Sequence, residues 1–201
     1  MSDDKKMNPG RRNVIMLTVA ASGAAGVTAA VPFALSMQPS EAAKAAGAPV
    51  EADLSDIPPG SMKTVAWRGQ PVWIVHRTPE MLAELPKLDD LLADPKSLRD
   101  PAKFTPPYAS NENRSRKPEY LVVVGICTHL GCSPVSEFAV HPEPFDPNWE
   151  GGFYCPCHGS TYDLSGRVYR NKPAPDNLQV PKYMFLSDTR IVIGKDENGE
   201  A

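Results

Sequence analysis

All four cysteines of this 201-residue chain fall between Cys127 and Cys157, and each of the two short segments that hold them also carries a histidine. The segments read Cys127-Thr-His129-Leu-Gly-Cys132 and Cys155-Pro-Cys157-His158-Gly-Ser160. Such clustering points to one local site rather than to a disulfide framework spread over a domain. Two Cys and two His suit a tetrahedral zinc site. Zinc fingers, however, usually pair Cys with Cys and His with His, whereas both segments here mix the two and leave two cysteines over. Covalent haem attachment wants Cys-x-x-Cys-His, and Cys155-Pro-Cys157-His158 is one residue short of it. Purely structural cysteines would not account for the histidines.

The length allows one domain plus an anchor, and the 22 prolines and 14 glycines suit short strands joined by turns better than a helical bundle. Residues 1–12 carry Lys5, Lys6, Arg11 and Arg12 against Asp3 and Asp4, and residues 13–37 hold no charged side chain. The remainder has 17 basic and 22 acidic residues. That net −5 lacks the basic footprint of a nucleic-acid binder and is compatible with a basic or patch-charged protein partner. Val14–Ser36 matches the roughly 20 apolar residues a helix needs to cross a bilayer, so 13–37 is expected to be a transmembrane anchor. Small residues such as Ala20, Gly23 and Gly26 would let a neighbouring helix approach closely. Basic residues precede the run and none follows until Lys44, which puts residues 1–12 in the cytoplasm and the rest on the far side. A cleaved signal peptide is the alternative, although signal h-regions run to only about 7–15 residues. Arg11-Arg12 ahead of Val14 and Ile15 is similar to a twin-arginine export signal, with Gly10 standing where Ser or Thr is usual.

Beyond the anchor, residues 38–60 are Ala- and Pro-rich without aromatics and read as a flexible linker. Within the domain expected at 61–194, KTVAW and PVWIVH flank Arg68-Gly69-Gln70 as a hairpin. Thr78-Pro79-Glu80 starts a short amphipathic helix that breaks or bends near Pro86. Residues 94–117 are expected to be an irregular surface excursion, and Tyr120–Val124 a buried strand. Tyr183–Leu186 and Ile191–Ile193 form another hairpin, and 195–201 a frayed tail.

The two Cys/His segments, continued by Ser160-Thr-Tyr162-Asp163 and Ser165-Gly166-Arg167, resemble the Rieske family in its quinol-oxidising branch. The resemblance covers most of the exported part. It implies a mainly β fold: a small antiparallel β-sandwich with a cluster-binding subdomain, plus one N-terminal transmembrane helix. It implies one 2Fe–2S cluster, with Cys127 and Cys155 on one iron and His129 and His158 on the other. Replacing two thiolates by neutral imidazoles removes negative charge, so such centres span roughly −150 to +300 mV against about −400 mV for plant-type clusters. Cys132 and Cys157 would form a disulfide tying the two loops together, which suits an oxidising compartment. Ser160 would bond a bridging sulfide and Tyr162 the sulfur of Cys127, raising the potential. Lys172-Pro173-Ala174-Pro175 resembles the family's proline loop, with Lys172 where glycine is common. Leu130, Gly131 and Pro173 would form the tip that docks at the quinol site, and His129 and His158 would take part in proton-coupled electron transfer. His76 and His141 read as surface or packing residues.

The implied setting is an oxidoreductase complex in a bacterial inner membrane, dimeric, with the head on the periplasmic side. Partners would be ubiquinol, a cytochrome b subunit and a c-type cytochrome, which the head reaches by moving on its linker. A Rieske subunit of another periplasmic enzyme, such as an arsenite oxidase, has a similar pattern. A zinc-binding interaction domain is the reading from outside electron transfer.

Overall fold

The computed structural model describes residues 8–40, 43, 45, 47–99 and 105–200. Outside the described residues lie 1–7 of the expected cytoplasmic segment, parts of the linker (41, 42, 44, 46) and of the polar excursion (100–104), and residue 201 of the tail. The chain divides into two compact units, 1–45 and 46–201.

The first unit contains α1, Pro9–Ser36. Asn8 caps it, its side chain accepting from the Gly10 and Arg11 N–H groups at 3.0 and 3.4 Å, and Pro9 occupies the first turn, where its missing N–H is harmless. None of its residues is buried by protein. Its threonine hydroxyls are satisfied locally, Thr18 donating to Val14 O and Thr28 to Ala24 O, each at 2.8 Å. A helix of 28 residues spans about 42 Å, enough for a bilayer's hydrocarbon core. This one apolar helix fits a single-pass anchor.

The second unit is built on antiparallel sheets. Strands β2 (Ser61–Trp67) and β3 (Gln70–His76) form the hairpin. Its two-residue turn, Arg68-Gly69, has φ of 51° and 71°, the primed geometry that matches strand twist. Strand β4 (Tyr120–Val124) pairs with the other side of β3, giving the order β2-β3-β4. β3 is therefore central, and Val72, Trp73, Ile74 and Val75 are all buried, which is why this run reads as continuously apolar. A second sheet has the order β1-β9-β8, from β1 (Val50–Asp53), β8 (Tyr183–Phe185) and β9 (Arg190–Ile193). Both sheets supply one core, Val122, Val124, Ile191 and Ile193 among it.

Helix α2 (Pro79–Glu84) is capped by Thr78 and runs into a 3-10 turn at Leu85–Leu91, whose second residue is Pro86. Leu85, Leu88 and Leu92 are its buried face. The third sheet, β5-β6-β7, comprises Val135–Glu137, Gly152–Cys155 and Ser160–Tyr162. It joins the base through Phe153, stacked on Trp73 with centroids 4.9 Å apart.

Three boundaries differ from expectation. The head begins at β1, not at residue 61: Val50–Asp53 pairs residue for residue with Ile193–Arg190, and Leu54 and Ile57 are buried. The expected linker 38–60 thus gives up its second half to the core, and within the rest Ala43, Ala45 and Gly47 are helical. The tail is not frayed: β10 (Lys195–Asp196) and β11 (Gly199–Glu200) pair, and Asp196 is buried. The described parts of the excursion, 94–99 and 105–117, are irregular, with a 3-10 turn at Pro107–Ala109, but they are not superficial, since Ser97, Thr105, Arg114 and Ser115 are buried. Its polar residues find partners inside, so polarity misreads its depth.

Candidate functional site

Two loops of similar construction meet at one end of the head. The first leaves β4 through Gly125, which must lack a side chain because a Cβ there would come within 2.2 Å of the Trp73 ring. It then forms a turn in which the Gly131 N–H returns to Cys127 O at 3.0 Å, with Gly131 at φ 83°. The second joins β6 to β7, and there the Gly159 N–H returns to Cys155 O at 2.9 Å, with Gly159 at φ 77°. Each loop is thus a cysteine followed four residues later by a left-handed glycine, with a histidine carried between them. Only glycine takes that conformation without strain.

The sequence-derived residues converge here. Cys127 and Cys155 are buried, unpaired thiols. Cys132 and Cys157 form a disulfide that links the loops, their Cα atoms 6.7 Å apart. The His129 and His158 rings pack edge to face with centroids 4.7 Å apart. His158 lies exposed and His129 half-buried, with its Nδ1 buried and without a hydrogen-bond partner among the described residues. Leu130 between them is 71% exposed and Gly131 is also exposed, an apolar tip beside the histidines.

The proline loop closes the third side. Ser160 pairs with Cys155 across the hairpin and is fully buried, and its Oγ accepts the Ala174 N–H at 3.0 Å. Thr128 Oγ1 donates to Asp176 O at 2.6 Å, so the proline loop is fastened to both cysteine loops. Pro173 at its crest is exposed. Lys172 costs nothing as a replacement for glycine, because the left-handed residue is Asn171 at φ 59°, and asparagine tolerates it. Tyr162, wholly buried, donates to Cys127 Sγ at 3.2 Å while its oxygen accepts the Thr128 N–H at 3.2 Å. Burial, and then the neighbouring cysteine, hold its phenol above the ordinary range, so it stays a donor.

His76 and His141 lie elsewhere: His76 Nδ1 is 2.7 Å from Ile57 O, and the exposed His141 is 3.4 Å from Glu143. Thr128 was missed by sequence reasoning, although its place between Cys127 and His129 could have drawn attention to it.

The donor set fits an iron–sulfur group. Burial and the adjacent Cys127 push the Cys155 thiol up, so a thiolate there calls for a compensating cation. His129 Nδ1 is a buried nitrogen without a hydrogen-bond partner among the described residues, and a metal ion would satisfy it. The sulfurs of Cys132, Cys155 and Cys157 lie within 4.8 Å of one another, but two of them are consumed in the disulfide, which leaves Cys155 to act with Cys127.

The fold and the paired Cys/His loops define a Rieske-type protein, and residues 112–184 match the Rieske [2Fe-2S] domain. The ubiquinol-cytochrome c reductase iron-sulfur subunit of Allochromatium vinosum is 52% identical over 191 residues, covering 94% of this chain and 91% of that protein. The subunit of the same name from Bradyrhizobium diazoefficiens is 44% identical, covering 93% and 96%. The mitochondrial cytochrome b-c1 complex subunit Rieske of Neurospora crassa is 41% identical over 88% of this chain and 67% of its own length. The chain belongs to the family of ubiquinol-cytochrome c reductase iron–sulfur subunits.

Proposed function

We propose that this chain is the subunit of a ubiquinol–cytochrome c reductase that takes an electron from ubiquinol, with release of a proton, and delivers it to a c-type cytochrome. The observation that carries the reading is the meeting of His129 and His158, rings 4.7 Å apart, above two buried unpaired thiols beside an exposed apolar tip. Cys127 and Cys155 would hold one iron and His129 and His158 the other. When bound, the 2Fe–2S cluster supplies a one-electron acceptor in the range of roughly −150 to +300 mV.

The side chains have separable tasks. His129 commits its buried Nδ1 inward and leaves Nε2 to accept a hydrogen bond, and then the proton, from a quinol hydroxyl. His158, exposed, offers a second such place. Leu130, Gly131 and Pro173 form the surface that seats against the quinol pocket, while the Tyr162 hydroxyl donates to Cys127 Sγ and the Ser160 hydroxyl would bond a bridging sulfide of the bound cluster. The disulfide holds the two loops in register.

The assembly includes a cytochrome b subunit and a c-type cytochrome, in a dimeric translocase of a bacterial inner membrane. Residues 13–37 anchor the chain, 1–12 lie in the cytoplasm, and the head faces the periplasm, exported folded by way of Arg11-Arg12. The tether before β1 lets the head visit both partners.

Purification of the complex tests the reading. Haem subunits should copurify, with about two non-haem irons and two labile sulfides per chain, and the complex should reduce cytochrome c from ubiquinol. Substituting His158→Asn should abolish that turnover. A chain that carries zinc, or that copurifies with a molybdenum subunit, contradicts it.

A further inference from the structure

Resting on the cluster assignment, we propose that Cys155 is placed to open the Cys132–Cys157 disulfide by thiol–disulfide exchange, and that its bond to iron is what keeps the disulfide intact. The Sγ atoms of Cys132, Cys155 and Cys157 lie within 4.8 Å of one another. Cys155 is a free thiol at the end of β6, and the other two form the bridge between the loops. Cys127, the other free thiol, is not a member of that group of three. The fold therefore sets one particular sulfur against the disulfide. Because the three are already neighbours, exchange asks for side-chain motion rather than unfolding.

The step balances without an outside oxidant or reductant. The Cys155 sulfur attacks Cys132 Sγ, a Cys132–Cys155 bond forms as the Cys132–Cys157 bond breaks, and the proton of the Cys155 thiol ends on Cys157. Attack at Cys157 instead would close a ring across the single residue Pro156, whose φ is fixed, so Cys132 is the favoured target. The direction follows from burial. Cys155 is 1% exposed whereas Cys157 is exposed, so exchange moves the free sulfur from the core to water, where its thiolate is solvated. The product still ties the two loops together, but Cys155 is consumed and can no longer serve with Cys127 as an iron ligand. Cluster and disulfide thus depend on each other. The cluster withholds Cys155 from exchange, and a chain oxidised before loading, or stripped after it, ends in the wrong pairing.

The test follows the cysteine pairing of the full chain, purified in detergent with its cluster. Iron is removed anaerobically with acid and a chelator, and the chain is held at about pH 8, near the ordinary thiol pKa, for timed intervals. Free thiols are then trapped with a maleimide, and the chain is cleaved after Glu137 and Glu150, which lie between the two loops, for mass spectrometry. Most of the Cys132–Cys157 pair should be lost and replaced by Cys132–Cys155, with the maleimide moving from Cys155 to Cys157. The loaded chain, kept for the same time and stripped only at the end, should retain Cys132–Cys157. Persistence of Cys132–Cys157 beside a maleimide-labelled Cys155 in the stripped chain overturns the proposal. So does capture of Cys132 by Cys127 as often as by Cys155, which is what an unfolded chain would give. Equal exchange in the loaded chain overturns the protective role of the iron bond. Iron and labile sulfide are counted in the material released, and a chain that releases neither would instead remove the cluster assignment on which this rests.

Discussion

Tyr162 has one proton and two acceptors within reach, Cys127 Sγ and Thr128 Oγ1, each at 3.2 Å. Thr128 spends its own proton on Asp176 O at 2.6 Å, and its N–H polarises the tyrosine oxygen from behind. Tyr162→Phe should therefore lower the midpoint potential by roughly 40 mV, the one-electron equivalent of about 1 kcal/mol for a net hydrogen bond, and slow quinol oxidation. An unchanged potential would show that the phenol does not act on the sulfur. Gly152 makes a different demand: at φ 148°, a Cβ would lie 2.0 Å from Tyr162 O. Gly152→Ala should destabilise the head by about 2–4 kcal/mol, read by denaturant unfolding, because the β6–β7 pairing must open. Residue types made Cys127, His129, Cys155, His158 and Tyr162 legible, since their chemistry is rare and their spacing fixed. Ala174 was not legible as a partner, because it acts through a backbone N–H that every residue but proline possesses.

At the scale of elements, the two cysteine loops need each other. Each sends its first cysteine, Cys127 or Cys155, into the core, and the disulfide with the Thr128 and Ser160 contacts fastens the loops to each other and to the proline loop. With 25 residues separating the half-cystines, replacing Cys132 and Cys157 together by serine should cost about 3 kcal/mol of unfolding free energy. Equal unfolding midpoints for the two forms would contradict a bracing role. The β2–β3 hairpin and β4 could be read from the sequence because period, turn glycine and β-branched runs agree there. Strand β1 could not: Val50-Glu-Ala-Asp53 has no strand signal of its own, and its pairing with β9 joins residues more than a hundred positions apart. The buried Arg114 failed for the same reason, since it sits in a stretch whose local polarity resembles a surface loop.

For the molecule as a whole, the proposed division of labour is an anchor, a tether and a head. Because β1 is part of the head, the tether is the stretch between Met37 and Val50, shorter than composition suggested. Proline at positions 43, 45 and 47 should slow turnover of the complex while leaving the cluster potential intact, and normal turnover would count against a moving head. Arg11→Lys with Arg12→Lys should leave cluster-loaded head on the cytoplasmic side, seen by protease protection in spheroplasts; unchanged protection would exclude twin-arginine export. The central claim, a histidine-ligated cluster poised to oxidise quinol, is tested most directly by a redox titration of the purified chain followed by electron paramagnetic resonance. The account predicts a Rieske-type signal at positive potential whose midpoint falls as pH rises above neutrality. A signal only at strongly negative potential, or no signal with zinc bound, would contradict it.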